Sequence, residues 1–332
     1  MSADSVLPIQ LRPRRLSEVV GQKAVVDSIR AQFASGRVPR AWMIYGPSGC
    51  GKTTLARILA LTYQMEPGSE PGEPPDDLWE RYGEFQISEI NASQVNGVEA
   101  LGQVAEEAQY LPNPPSKARV YILDEAQRIS EAAQNLLLKH FEDGAKTTVW
   151  IICTTAPQKI LPTVRRRCYT VRVSGLSDVA VVRLLKRAWR ILGCKRPMEE
   201  LKEALDKFGV NSPALILMAA EKYAGGASAQ ESVMAGDSSA DSLEICRAVA
   251  RGDWESVRRH LSKLGAEEAR SMRLSVMSYL RAILLNERGS TAAKAAESIR
   301  ILSEYAPLED PAMLAWLGSA LYRVCVKIAT RT

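Results

Sequence analysis

Gly46-Pro-Ser-Gly-Cys-Gly-Lys-Thr53 sets glycines, a lysine and a hydroxyl at the spacing G-x-x-x-x-G-K-[ST]. Glycines let a backbone wrap until its N–H groups converge on phosphate oxygens. A helix starting there, through Thr54, adds the positive end of its dipole. Lys52 would reach the terminal phosphates of ATP, and Thr53 would ligate Mg2+. The candidate nucleotide-binding segment is therefore Gly46, Pro47, Ser48, Gly49, Cys50, Gly51, Lys52, Thr53 and Thr54. The same pattern also arises as an ordinary Gly-rich turn. Its setting argues against that: an apolar strand, Ala41-Trp-Met-Ile-Tyr45, precedes it, and the strong helix-forming run Thr54-Leu-Ala-Arg-Ile-Leu-Ala-Leu61 follows it.

Val120-Tyr-Ile-Leu-Asp124-Glu125 is an apolar strand ending in two acids. Asp124 is placed to hold the magnesium shell. Glu125, one residue on, is placed to polarise an attacking water. Taken alone, both acids could simply end a strand. Cys153-Thr154-Thr155 ends another apolar run, where a hydroxyl could orient water near the γ-phosphate; threonine at a strand end is usually structural. Arg165-Arg166-Arg167 reads either as a solvated basic turn or as the source of an arginine supplied to a neighbouring subunit's ATP. Such a finger is worth ~10³–10⁵ in turnover.

The elements that must position these groups alternate. Strand-like runs lie at Ala41–Tyr45, Phe85–Ile90, Val120–Leu123, Thr148–Cys153 and Tyr169–Val173, with helical stretches at 17–36, 54–61, 96–109 and 130–142. Alternation of this kind predicts an α/β fold with a parallel sheet covered on both faces. Residues 66–77, rich in proline, glycine and acids, read as a loop. After 174 the pattern turns helical: Ser177 is a candidate N-cap for a helix through about Leu192, and shorter helices follow near 198–208 and 212–223. A Gly/Ala/Ser/Asp stretch follows that reads as a linker. Beyond it Met272, Val276, Tyr279, Leu280, Ile283 and Leu284 recur at helical spacing, with Gly289 and Pro307 as turns. The expected organisation is a nucleotide-binding α/β domain at 1–174, a helical lid at 175–225, a linker at 226–241 and a helical domain at 242–332.

Composition narrows the class. Of 332 residues 46 % are apolar, enough for real cores, and 43 Lys+Arg against 38 Asp+Glu give a formal charge of +5, weak evidence for nucleic acid. The six cysteines form no C-x-x-C pair, which argues against a zinc site or a disulfide framework. His140 and His260 stand far apart and read as surface or packing residues rather than metal ligands. The N-terminus lacks the apolar core of a signal peptide, and no run approaches the ~18 apolar residues of a membrane helix. The expectation is a cytoplasmic protein without a membrane partner.

The order and spacing of these motifs resemble AAA+ clamp-loader motor subunits, such as the tau/gamma subunit of bacterial DNA polymerase III and the small subunits of replication factor C. The resemblance covers about residues 8–225. It is carried by Leu11-Arg-Pro-Arg-Arg-Leu-Ser-Glu-Val-Val-Gly-Gln22, by the P-loop, by Glu89-Ile-Asn-Ala-Ser93 with Asp124-Glu-Ala-Gln127, and by Thr154-Thr-Ala-Pro-Gln-Lys-Ile-Leu-Pro162 running into Arg166-Arg167-Cys168. It implies an AAA+ P-loop module with a five-stranded parallel sheet, a helical lid and a helical C-terminal collar; the collar fits in size and position only. Val19, Val20 and Arg12 would line the adenine pocket. Thr155 matches sensor 1, on a strand lying between those of the P-loop and Asp124. Arg167 matches the trans-acting finger, and Lys159 a position that faces the DNA backbone. The implied cofactors are ATP and Mg2+. The implied partners are other subunits of a hetero-oligomeric ring, such as a pentamer, a sliding clamp and primer–template DNA.

The sequence departs from that pattern at three points. Arg166 occupies the serine of the Ser-Arg-Cys motif. The Pro/Glu-rich loop at 66–77 replaces a four-cysteine zinc module, so no zinc is expected. Ser212, in Gly209-Val-Asn-Ser212-Pro-Ala-Leu215, stands where the lid carries the sensor 2 arginine, and a serine brings no charge to a γ-phosphate. Two other readings remain open: a stator-like subunit that binds nucleotide weakly and donates its arginine, and another DNA-directed AAA+ ATPase of branch migration or replication restart.

Overall fold

The computed structural model of the chain describes residues 6–82, 86–92, 98–143, 145–234, 240–262, 264, 269–286, 288–304 and 310–329. It divides into two compact units. One comprises Pro8–Arg183 with Ser212–Ala214; the other comprises Leu184–Asn211, Leu215–Thr332 and the start of the chain up to Leu7.

In the first unit β1 (Ala41–Tyr45), β2 (Ile87–Asn91), β3 (Arg119–Asp124), β4 (Thr148–Thr154) and β5 (Tyr169–Arg172) form a single parallel sheet ordered β2-β3-β4-β1-β5. Phe85, expected in the second strand, lies outside the described residues, as does Ser93 of the quoted motif. A parallel sheet needs cover on both faces, and its strands then read as unbroken apolar runs; β4 is buried along its whole length. Side chains alternate between the faces. Trp42, Ile44, Val120, Ile122, Val149, Ile151 and Cys153 share one core with Leu55, Ile58 and Leu59 of α3. Met43, Tyr121, Leu123, Trp150 and Ile152 share another with Leu101, Leu137 and Val164. The helices along this unit are α1 (Leu7–Gln10), α2 (Lys23–Ala34), α3 (Lys52–Thr62), α4 (Leu78–Tyr82), α5 (Val98–Glu107), α6 (Glu131–Asp143) and α7 (Pro162–Arg167).

The helix expected over 17–36 starts later, at Lys23. A single 3-10 turn occupies Leu16–Glu18. Gly21 at φ +82° and Gln22 at φ +31° then break the path. Gln22 holds this turn by bonding both backbone groups of Ser174, donating to its carbonyl and accepting from its N–H at 3.3 Å. Val19 and Val20 therefore sit on a loop rather than on a helix face.

In the second unit, α8 (Asp178–Leu192), which begins in the first, is followed by α9 (Met198–Phe208), α10 (Pro213–Ala224), α11 (Ala229–Met234), α12 (Ala240–Arg251), α13 (Trp254–Leu261), α14 (Ala269–Asn286), α15 (Ser290–Leu302) and α16 (Asp310–Ala329). The stretch expected as a linker thus carries a helix, α11. Its start is a reciprocal cap that small polar residues can supply: Ser228 Oγ accepts from the Glu231 N–H, and the Glu231 carboxylate accepts from the Ser228 N–H and hydroxyl. Val233 and Ser232 are buried there, while residues 235–239 lie outside the described set. Met272, Val276 and Leu280 of the predicted stripe enter the helical core with Ile245, Val257 and Leu321, and Tyr279 and Ile283 pack against it. Gly289 does start a helix, while Pro307 lies outside the described residues.

One expectation on apolar runs is corrected. The 18 residues Ala312–Ala329 are long and apolar enough, by composition, to cross a membrane. Met313, Leu317, Leu321, Val324 and Ile328 join the helical core, while Tyr322 and Val326 stay exposed.

Candidate nucleotide-binding and hydrolysis site

Because the strands are parallel, their carboxyl ends share one edge, where α/β sheets present ligand-binding groups. Tyr45 pairs with Thr154 and Asn91 with Asp124, so the P-loop, Asp124 and Thr154–Thr155 emerge at that edge. β4 lies between β1 and β3, as the resemblance implies for the sensor strand.

The P-loop geometry depends on glycine at two places. At Gly46 (φ +153°) an added Cβ would lie 2.2 Å from the Val173 carbonyl oxygen. At Gly49 (φ +70°) it would lie 2.4 Å from Ser212 Oγ. Lys52 opens α3 and is buried, with its ammonium donating to the carbonyls of Gly46 at 3.2 Å and Pro47 at 3.0 Å. The amine is thus folded along the loop whose phosphates it would neutralise. Thr53 Oγ1 donates to Asp124 Oδ2 at 2.7 Å, and the Glu125 N–H donates to Asp124 Oδ1 at 2.9 Å. A hydroxyl beside a carboxylate, both hard oxygen donors next to a phosphate cradle, is a donor set that fits Mg2+, an ion bound by one or two carboxylates plus substrate phosphates.

Glu125 adopts the left-handed conformation, φ +52°. Its carboxylate accepts from Gln127 Nε2. Gln127 Oε1 in turn accepts from Thr154 Oγ1 at 2.8 Å and from the Thr155 N–H at 3.2 Å. The Thr154 hydroxyl also accepts from the Ala156 N–H at 3.1 Å and is fully buried. Thr154 is thus committed to structure, which leaves the half-buried Thr155 as the sensor candidate.

Two buried thiols lie among these charges. Burial pushes the Cys153 thiol well up; Asp124, Glu89 and Glu125 add to the rise and Lys52 opposes it. Burial likewise raises the Cys50 thiol against the pull of Lys52. Both thiols remain protonated and serve as packing rather than as nucleophiles.

The remaining predicted residues fall at separate places. Val20 is buried and Val19 packs against the core. The neighbouring Gly21 approaches Leu176 so closely that a Cβ would lie 2.7 Å from its Cδ2. Leu176 is thus a wall residue of this corner that sequence reading missed. Arg12 is exposed, with Arg57 of α3 and Glu89 of β2 as charged neighbours. Arg57 and Glu89 pair in bidentate fashion at 2.7 and 3.0 Å. Lys159 ends the 3-10 turn Pro157–Lys159 and is exposed. The buried Gln134 fixes that turn, donating to the carbonyls of Ile129 and Lys159 at 3.1 Å each and accepting from the Leu161 N–H at 2.7 Å.

Arg165, Arg166 and Arg167 form the last turn of α7. Arg165 is half-buried, whereas Arg166 and Arg167 are exposed. Arg167 Nη1 donates to the Thr163 carbonyl at 3.0 Å. These arginines precede the amino end of β5, where Tyr169 pairs with Trp42, so they lie at the opposite edge of the sheet from their own P-loop. Ser212, at the sensor 2 position, is buried, and its hydroxyl donates to the Ser48 carbonyl at 3.4 Å. The Ala214 N–H donates to the Gly49 carbonyl at 3.2 Å.

Residues 21–177 match the family model described as DNA polymerase III, delta subunit. That match takes in all five strands of the parallel sheet. The DNA polymerase III subunit gamma/tau of Mycobacterium tuberculosis is 35 % identical over 166 residues, 48 % of this chain and 28 % of the relative. The DNA polymerase III subunit gamma of Buchnera aphidicola is 30 % identical over 201 residues, 59 % of this chain and 55 % of the relative. Subunit tau of Escherichia coli is 32 % identical over 182 residues, 54 % and 28 %. The chain thus spans between 28 % and 55 % of the length of these relatives. In fold, the chain resembles Thermotoga maritima RuvB, at 16 % identity and a TM-score of 0.53, over 85 % of this chain and 94 % of RuvB.

Proposed function

We propose that this chain is an ATP-driven motor subunit of a DNA sliding-clamp loader. The observation that carries the reading is the continuous set Lys52, Thr53, Asp124 and Glu125 at one sheet edge, within a module of clamp-loader type. In this reading Gly46–Thr54 bind the phosphates of ATP, and Val19, Val20 and Arg12 hold the adenine. Thr53 and Asp124 hold Mg2+, whose chemistry is to neutralise charge on the phosphates. Glu125 orients and deprotonates the attacking water, and Thr155 aligns it. Arg167 completes the site of a neighbouring subunit. Its place at the far edge supports a role in trans, because it is set away from its own P-loop. Lys159 faces the DNA backbone, a contact that carries no sequence information.

The partners in this reading are the other subunits of a hetero-oligomeric ring, a sliding clamp and primer–template DNA, in the cytoplasm. ATP holds the ring in the state that grips clamp and DNA, and hydrolysis releases both. The test is association. The full chain, assembled with its co-purifying subunits, should retain a sliding clamp only with ATP present. Glu125→Gln should trap that complex and abolish its ATPase. Clamp retention without ATP, or unchanged ATPase in Glu125→Gln, would sink the motor reading; the latter would favour the stator-like role.

A further inference from the structure

Gln127 has no role in the site as assigned so far, yet its side chain bonds both Glu125 and the end of β4. Its orientation is forced by chemistry. The Thr155 N–H can only donate and the Glu125 carboxylate can only accept, so the amide oxygen must face Thr155 and the amide nitrogen must face Glu125. One end of Gln127 therefore reports where β4 ends. The other end holds a single carboxylate oxygen of the base, leaving the second oxygen for water. The Glu125 side chain leaves a left-handed backbone position just past the strand. Asp124 is occupied with the Glu125 N–H and the Thr53 hydroxyl.

The geometry points to Gln127 as a positioning residue that aims Glu125 according to the position of Thr155. β4 lies between the P-loop strand and the Asp124 strand, so a change at its end reaches Glu125 through one amide. A base is efficient only within hydrogen-bond reach of its proton, and misplacement by about 1 Å costs ~10²-fold. Thr154 serves as the fixed post: its hydroxyl is tied both to Gln127 and to the Ala156 N–H.

This inference rests on the assignment of Glu125 as the base, and the experiment separates the two. Single-turnover hydrolysis of radiolabelled Mg·ATP, with the complex assembled from the full chain and its co-purifying subunits in excess, is compared for wild type, Gln127→Ala, Gln127→Glu, Glu125→Gln and the double variant Glu125→Gln/Gln127→Ala. Affinity for a fluorescent ATP analogue is measured in parallel. Gln127→Ala should slow hydrolysis by about tenfold or more and leave nucleotide affinity within about twofold. Gln127→Glu keeps the size and the acceptor for Thr154 and Thr155 but sets a carboxylate against Glu125; it should lose at least as much. In the Glu125→Gln background Gln127→Ala should cost nothing further, an epistasis that a merely structural glutamine would not produce. Near-wild-type hydrolysis in Gln127→Glu, or a full multiplicative loss in the double variant, would overturn the inference. An unchanged rate in Glu125→Gln would instead remove the base assignment itself.

Discussion

The Ser212 hydroxyl donates to the Ser48 carbonyl oxygen at 3.4 Å, which makes a residue after α9 a direct neighbour of the P-loop. The resemblance places an arginine at this position to reach the γ-phosphate. Here a short, neutral side chain touches the loop itself, and the Ala214 N–H adds a second bond to Gly49. The contact is tight: a Cβ on Gly49 would lie 2.4 Å from Ser212 Oγ and 3.1 Å from Ala214 Cβ. Position 212 thus brings a contact to the Gly-rich loop where the resemblance leads one to expect a charge.

Gly49→Ala should therefore weaken ATP binding. The left-handed backbone alone costs about 1–2 kcal/mol for a side-chain residue, and the clash with Ser212 adds to that. The expected loss is about tenfold or more in affinity, read by titration of a fluorescent ATP analogue. Adding Ser212→Gly removes the clash and should recover part of the loss but not the conformational part. Wild-type affinity in Gly49→Ala would show that the loop does not need this shape.

Asp124→Asn should shift the Mg2+ requirement rather than the bare nucleotide affinity. It keeps an oxygen for the Thr53 hydroxyl, 2.7 Å away, but removes the charge that favours a divalent cation. The Mg2+ concentration giving half-maximal hydrolysis should rise about tenfold or more, while affinity for the ATP analogue without metal changes little. A Mg2+ titration at fixed ATP measures both. An unmoved midpoint would remove Asp124 from the metal site.

The parallel sheet and the P-loop were legible because each is written locally. Ala41–Tyr45 and Val120–Leu123 are unbroken apolar runs, and glycine spacing marks the turn between strand and helix. The break at Gly21–Gln22 was not legible. The apolar spacing of Val19, Val20, Val25, Val26 and Ile29 reads as one helix, and the side chain that interrupts it bonds Ser174, 152 residues away. Gln127 and Gln134 escaped for the same reason. A glutamine has no period and no spacing rule, and its value here lies in which strand end or turn it meets. The helix at Ala229–Met234 had a readable signal, Ser228-x-x-Glu231, hidden in a stretch whose small residues suggest slack chain.

Arg167 should matter only to a neighbour's ATP. It lies at the sheet edge away from its own P-loop and is exposed beside Arg166, whereas Arg165 is half-buried. In the isolated chain Arg167→Ala should leave affinity for ATP within about twofold. In the assembled complex it should reduce turnover by ~10³ or more, the scale of an arginine finger. Arg166→Ala, made in parallel, should cost far less. Equal losses in both, or a loss of affinity in the isolated chain, would assign the triplet to folding or to general surface charge.

Glu297 gives the helical unit a dependence on acid that one substitution should remove. Its carboxylate accepts bidentately from Arg300 at 2.9 and 2.8 Å and also pairs with Lys327 of α16. Hydrogen bonds from Arg300, then from Lys327, hold it down at about 2. A depressed folded-state value means the proton binds more readily once the chain unfolds. The stabilisation is therefore present in full above the unfolded carboxylate range near ~4.3 and is lost as pH falls from there towards 2. All three side chains are solvent-accessible, so salt should weaken the effect. Glu297→Gln should unfold at a lower temperature than wild type at pH 6, and the gap should narrow progressively between about pH 4.5 and pH 3. Thermal unfolding followed by circular dichroism across that range measures it. A gap that stays constant with pH would mean the carboxylate contributes through packing rather than through its charge.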